Sequence, residues 1–249
     1  MSGARFISIG RRFVRTASLL ATASFAAAAT TTPTSRPDRP ANAIVLFDGS
    51  NLDAWRAYAA DRPAGHRIAD GAFELEKGNI ITRGAFGDFR LYLEFYCPEE
   101  PPEVTGQRHA NSGVYFHDRY ELQILGHRGG ALPADNEVGA IYHIKRPDRF
   151  AVGPDGTWQS FDCVFRAPRF DASGKKVADA RLTVRHNGVL IHDDAPIPKV
   201  TGGARGEEQP TGPIRLQDKN HPVVFRNIWV VPLDAATATR PTESRGKNG

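Results

Sequence analysis

Short runs of alternating apolar and polar residues, broken by Gly, Asp, Asn and Pro, succeed one another from residue 44 to residue 231. They cover 44–47, 72–76, 79–82, 86–96, 112–117, 120–125, 158–166, 180–186, 189–192, 213–217 and 223–231. Alternation with a period of two marks half-buried strands, and no 3.6-residue periodicity persists beyond two turns. Arg185-His186-Asn187-Gly188-Val189 sets Asn-Gly between two such runs, a strong short signal for a hairpin. Many short strands in one body, residues 44–234, predict a single all-β domain, two antiparallel sheets packed as a β-sandwich with few helices. Two long polar stretches, 98–109 and 199–211, are expected as loops that border one face of it.

The same period sorts side chains by face. In 86–96, Leu91, Leu93 and Phe95 share one side while Tyr92, Glu94 and Tyr96 share the other. In 120–125, Leu122 and Ile124 point to the core, which turns Glu121 and Gln123 away from it. In 213–217, Ile214 and Leu216 point inward and leave Arg215 and Gln217 outside. If these three strands are neighbours on one sheet, their outer faces form a groove of aromatics, carboxylates and amides. Such a set suits a sugar, with ring faces for C–H surfaces and paired polar groups for hydroxyls.

Residues 1–29 carry Arg5, Arg11, Arg12 and Arg15 with no acid, followed by a short Ala-rich apolar stretch. This is the pattern of a secretory signal peptide, and the stretch is shorter than the roughly 20 residues that span a bilayer. Arg11-Arg12 followed by Phe13 partly matches a twin-arginine signal, and the absence of Cys before Cys97 excludes a lipidated N-terminus. Residues 30–43 read as a flexible Thr/Pro/Arg leader and 235–249 as a disordered tail. The whole chain has a formal net charge of +4, and those four arginines account for it. The remaining body is neutral, which excludes nucleic-acid binding through a basic face, and no membrane insertion is expected after signal removal. Cys97 and Cys163 allow either one disulfide or two buried thiols. Neither has a neighbour that would activate it as a nucleophile.

A further pattern lies in the order of short motifs. Leu46-Phe47-Asp48-Gly49-Ser50-Asn51-Leu52 with Trp55 is followed by Asp70-Gly71, then by Asp88-Phe89-Arg90-Leu91 with Glu94. Asn111-Ser112-Gly113-Val114-Tyr115-Phe116, Tyr120-Glu121-Leu122-Gln123-Ile124-Leu125 and Gly139-Ala140-Ile141-Tyr142 come next. Trp158-Gln159, Asn187-Gly188, Gly212-Pro213-Ile214-Arg215-Leu216-Gln217-Asp218 and Phe225-Arg226-Asn227-Ile228 complete the set. In this ordered set the chain resembles the 3-keto-disaccharide hydrolase family of bacterial proteins, whose fold is a concanavalin/laminin-G-like sandwich, or jelly roll. The resemblance spans residues 45–233. It implies a secreted or periplasmic protein whose partner is a carbohydrate, and which cleaves glycosides whose 3-hydroxyl is oxidised to a ketone. A ketone at C3 acidifies the C2 proton, so one base, a stabiliser for the enolate and a proton donor suffice.

Under that resemblance Glu121 is the first choice for the base or a metal ligand, with Glu94 second. Tyr142, Lys145 or Arg226 would stabilise the enolate oxygen. Arg226 is equally well read as half of a structural ion pair. Tyr92, Asn111, Gln123, Arg215 and Gln217 would bind the sugar. The residues establish no cofactor; a divalent metal ion is left open, with Glu121, His117 and His143 as its weak candidate ligands. The family's Gln-Asp-His-Gly reads Gln217-Asp218-Lys219-Asn220 here, so a lysine stands where the family has histidine. That departure favours an alternative, a non-catalytic carbohydrate-binding module on the same sandwich. An ordinary retaining glycosidase, which needs two acids about 5–5.5 Å apart, is opposed by Gln123 at the second position on the Glu121 face.

Overall fold

The computed structural model describes residues 36–233. The expected signal segment, residues 30–35 of the leader and the tail lie outside the described residues. In chain order the strands are β1 (Ile44–Phe47), β2 (Trp55–Ala57), β3 (Ile68–Ala69), β4 (Ala72–Glu74) and β5 (Ile80–Thr82). Then come β6 (Phe89–Tyr96), β7 (Ser112–Phe116), β8 (Tyr120–Ile124), β9 (Trp158–Arg166) and β10 (Arg169–Phe170). The last are β11 (Lys176–Ala178), β12 (Ala180–His186), β13 (Val189–Ile197), β14 (Arg215–Asp218) and β15 (Val224–Pro232). Among the described residues the only helical turn is a 3₁₀ turn at Gly106–Arg108, and no helix is long and apolar enough to cross a membrane.

Two antiparallel sheets form the sandwich. The larger has the order β13-β12-β9-β6-β15-β4-β3, with β1 pairing the second half of β15; the smaller has the order β2-β5-β14-β7-β8. The core lies between them. Leu91, Leu93 and Phe95 of β6 and Phe161, Cys163 and Phe165 of β9 meet Val114 and Phe116 of β7, Leu122 and Ile124 of β8, and Leu216 of β14. Phe116 stacks on Phe89 at 5.8 Å and on Phe165 at 5.3 Å, tying the smaller sheet to the larger. Truncating such a ring to Ala costs about 3–5 kcal/mol, so these contacts fix how the sheets sit on each other.

The expected hairpin is β12–β13, where Asn187 and Gly188 both take positive φ (50° and 84°) as a type I′ turn demands. Strand β13 runs on to Ile197, beyond the expected run of 189–192 and through the Asp193-Asp194 pair. The pair forms a bulge, with Asp194 at φ 44°, between the Val184↔His192 and Leu182↔Ala195 pairings. This is an edge strand, and that is why it tolerates Pro196. Cys97 and Cys163 are both free and buried, so the thiol alternative holds. Cys163 sits opposite Leu91, six residues from Cys97 and thus about 20 Å away along the strand, far beyond disulfide reach. Burial raises both thiol pKa values well above the ordinary range.

Candidate functional site

Strands β14, β7 and β8 are consecutive in the smaller sheet, and their register builds two rows across its outer face. Arg215, Tyr115 and Glu121 lie directly opposite one another in one row; Gln217, Gly113 and Gln123 make the next. Alternation with the core residues Val114, Phe116, Leu122 and Leu216 turns both rows outward. Over them lies a cavity of about 280 Å³, roughly nine water volumes and room for one sugar ring. Both long loops contribute walls, Gln107 from the first and Gly202 and Gly203 from the second, and Asn111, Tyr142 and Lys219 complete the lining.

Glu121 is the only carboxylate in that lining and is 3% exposed. Room for it comes from Gly113, where a Cβ would sit 2.5 Å from Glu121 Oε1. The Tyr115 hydroxyl donates to Glu121 Oε2 at 2.7 Å, lies 2.9 Å from the Gly202 carbonyl, and accepts from Gln217 Nε2 at 2.9 Å. Its single proton goes to the carboxylate, the stronger acceptor, when Glu121 is ionised. Turned so that its amide satisfies its neighbours, Gln123 donates to Glu121 Oε1 at 3.1 Å and to the Ser112 carbonyl at 3.3 Å. Asn111 is held by Gln107, donating to its carbonyl at 2.8 Å and its Oε1 at 3.0 Å. Gln217 Oε1 is buried without a partner among the described residues, an acceptor left for a ligand.

Burial pushes the Glu121 pKa up to about 7, against the smaller downward pulls of the Tyr115 hydrogen bond and the Lys219 and Arg215 charges. A carboxyl poised there exchanges protons readily near neutrality. Burial likewise raises Tyr142, with the Glu121 charge adding to it, so its hydroxyl keeps its proton as a donor.

Arg215, expected on the sugar, lies behind Tyr115 instead. Its guanidinium stacks 3.6 Å from the Tyr115 ring centroid and 4.9 Å from that of Tyr58, pairs with Asp118 at 2.8 Å, and donates to the Gly203 carbonyl at 2.9 Å. At 3% side-chain exposure it braces the cavity floor. Gly203 presses on the same ring: at φ 75° it sits where a Cβ would come within 2.7 Å of the Tyr115 hydroxyl. Tyr115→Phe removes the donor that favours the charged carboxylate, so the Glu121 titration midpoint is expected to rise. It also orphans Gln217 Nε2, a loss of about 1 kcal/mol. Carbon-detected NMR titration of the Glu side chains, with thermal unfolding alongside, checks both.

The single groove expected from β6, β8 and β14 is not formed, because β6 belongs to the larger sheet. Tyr92, Glu94, Tyr96 and Arg226 lie on that sheet's face away from the core, on the opposite side of the sandwich from Glu121. There Glu94, 0% exposed, accepts from Arg226 Nε at 2.6 Å and Asn227 Nδ2 at 2.8 Å and pairs with Arg36 at 3.1 Å. Tyr92 stacks on Trp229 at 5.2 Å, and Arg226 lies 4.0 Å over Trp158. Glu94 is therefore no second acid for Glu121, and Arg226 takes the structural role. Lys145 pairs with Asp148 outside the cavity. His117 is buried, bonded to the Gly87 carbonyl at 3.1 Å and packed 4.7 Å from Phe165; burial lowers its pKa to about 4. His143 is exposed beside Asp135 at 3.7 Å.

Neither histidine reaches the cavity lining, and no group of three or more His, Cys, Asp and Glu comes together among the described residues. One carboxylate already bound by Tyr115, neutral amides and an ammonium do not fit a resident divalent cation, which favours several anionic oxygens. Sequence reasoning missed Tyr115, which alternation places on the Gly113 face, and Gln107, which no pattern in a loop would mark.

Comparison with known proteins is consistent with this geometry. Residues 42–231 match the family described as the 3-keto-alpha-glucoside-1,2-lyase-like domain. A crystal structure from Parabacteroides distasonis, of a protein described provisionally as a glycosyl hydrolase, superposes with a TM-score of 0.70 at 30% identity. It covers 80% of this chain and 94% of the other. Two more structures from the same organism, with the same provisional description, share the fold. One has a TM-score of 0.57 at 16% identity, covering 78% of this chain and 94% of that one. The other has a TM-score of 0.51 at 21% identity, covering 77% and 99%. No curated protein matches the chain in sequence.

Proposed function

Because the chain belongs to the 3-keto-alpha-glucoside-1,2-lyase-like domain family, we propose that it cleaves the glycosidic bond of a 3-keto-glycoside by elimination, with Glu121 as the base. The observation that carries this reading is a lone carboxylate, brought to a pKa of about 7, in a ring-sized cavity whose lining holds no second acid. Direct displacement at C1 needs two carboxyl groups flanking the bond; abstraction of an acidified C2 proton needs one.

Glu121 takes the C2 proton, and the C–H pair moves into the C2–C3 bond while the carbonyl pair moves onto the C3 oxygen. As that pair returns, the C1–C2 double bond forms and the C1–O bond breaks toward the leaving group. Tyr142, which lines the cavity and whose hydroxyl keeps its proton, supplies a proton to the leaving oxygen. Addition of water across C1–C2 then completes net hydrolysis: the water oxygen bonds to C1, its released proton restores Tyr142, and Glu121 returns its proton to C2. Gln123, Gln217, Asn111 and Gln107 hold the ring hydroxyls, their amides offering both donors and acceptors. We further propose that the protein works in the periplasm or outside the cell, on the strength of the basic and Ala-rich residues 1–29.

The test is a product assay. Protein incubated with 3-keto-trehalose or a 3-keto-glucoside should release 3-keto-glucose or the 1,2-unsaturated sugar, followed by mass spectrometry. No turnover of keto sugars, together with binding of plain oligosaccharides, would leave a carbohydrate-recognition module.

A further inference from the structure

Lys219 follows directly on β14, at a turn held by its neighbour. Asp218 Oδ2 accepts from the Gly78 amide at 2.7 Å, Oδ1 accepts from the Asn220 amide at 2.6 Å, and its own amide is held by Asn79 Oδ1 at 2.8 Å. The adjacent carboxylate is thus committed to backbone groups and does not neutralise the lysine. Lys219 lines the cavity at its exposed edge, and makes no hydrogen bond or ion pair among the described residues. The neighbouring cation, Arg215, is tied to Asp118. The only acid in the lining, Glu121, is held by Tyr115. A ring seated in this cavity therefore meets both a base, Glu121, and an ammonium, Lys219, that makes no hydrogen bond or ion pair among the described residues.

We propose that Lys219 is a catalytic residue whose ammonium holds the oxyanion that develops on the C3 oxygen as Glu121 takes the C2 proton. This rests on the elimination reading above and names the group that carries its charged intermediate. Lys219 keeps its protons throughout: it donates a hydrogen bond to the oxygen while the carbonyl pair resides there and loosens as the pair returns. The ketone is neutral in the ground state and anionic in the enolate, so the interaction strengthens along the reaction, as rate acceleration requires. A seated sugar also displaces water from the ammonium, and the attraction grows as the local dielectric falls. The other charged or titratable groups facing this space are Glu121, Tyr115 and Tyr142, with Arg215 behind Tyr115.

Lys219→Met and Lys219→Arg, compared with the unaltered protein on a 3-keto-glucoside, test it. Cleavage is followed by mass spectrometry and exchange of the C2 hydrogen in D₂O by NMR. Loss of a single oxyanion donor lowers kcat by about 10²–10³-fold. That fall is expected for the Met variant in both cleavage and exchange, with KM within about threefold, and the Arg variant should recover much of it. The side chain is exposed and unpaired, so unfolding temperatures should not differ. Three outcomes would overturn the role: a Met variant as fast as the parent, an effect confined to KM, or a borohydride-trapped sugar adduct on Lys219, which would mean an iminium. If the unaltered protein neither cleaves nor exchanges, the elimination reading itself fails, and that is visible without any variant.

Discussion

Glu121→Gln is expected to lower kcat by on the order of 10³-fold while sugar binding changes only a few-fold, within the range that a positioned general base supplies. Gln keeps the shape of Glu and still accepts from Tyr115, so the cavity stays intact while its base is lost. In the parent protein, turnover should rise with pH through about 7, as the carboxyl ionises. The same substitution should change how fold stability depends on pH. The folded pKa of about 7 lies above the ordinary 4.5, so the folded chain binds this proton more tightly than the unfolded chain does. The resulting stabilisation is fully present below about pH 4.5 and is lost as pH rises through 7. That interval is worth on the order of 3 kcal/mol. The Gln variant carries no charge at any pH and should lack this contribution, becoming the more stable of the two above pH 7. Denaturant unfolding of both proteins between pH 4 and pH 9, alongside single-turnover kinetics, reads both effects.

Glu94→Ala should give the opposite pattern. Its carboxylate is fully buried and satisfies Arg226, Asn227 and Arg36 together. Removing one partner of a buried ion pair costs about 3–5 kcal/mol, because the remaining charge is left uncompensated. The unfolding midpoint should fall accordingly, while kcat and KM of the protein that remains folded stay at parental values. A loss of kcat in the folded fraction would mean that the far face of the larger sheet communicates with the cavity. Together the two carboxylates separate chemistry from architecture: one variant stays folded and inactive, the other stays active and folds weakly.

Much of the cavity was legible as pattern. Alternation within 120–125 and 213–217 turned Glu121, Gln123 and Gln217 outward, because Leu122, Ile124, Ile214 and Leu216 had to face apolar surroundings. Tyr115 obeys the same rule, but a tyrosine between Val114 and Phe116 reads as core, and only the hydroxyl contacts with Glu121 and Gln217 reveal its place. Strands β2, β3, β10 and β11, two or three residues each, are too short to show a period. Asn227, at φ 47° where the β15 pairing with β6 slips, bulges the strand, a feature that alternation cannot anticipate.

The residues themselves determined the all-β class, the main strands, the β12–β13 turn and the face each side chain takes within its own strand. These follow from neighbours a few positions apart, where backbone sterics and the two-residue period act directly. Which sheet a strand joins depends on pairings far apart in the chain, and those are settled by packing. Strand β6 offers Tyr92 and Glu94 on its polar face just as β8 offers Glu121 and β14 offers Gln217, yet β6 pairs with β9 and β15 while β8 and β14 flank β7. The burial of Phe89, Phe116 and Phe165 between the sheets decides that division. One polar face therefore became a cavity with an acid near neutrality, and the other became a buried ion-pair cluster.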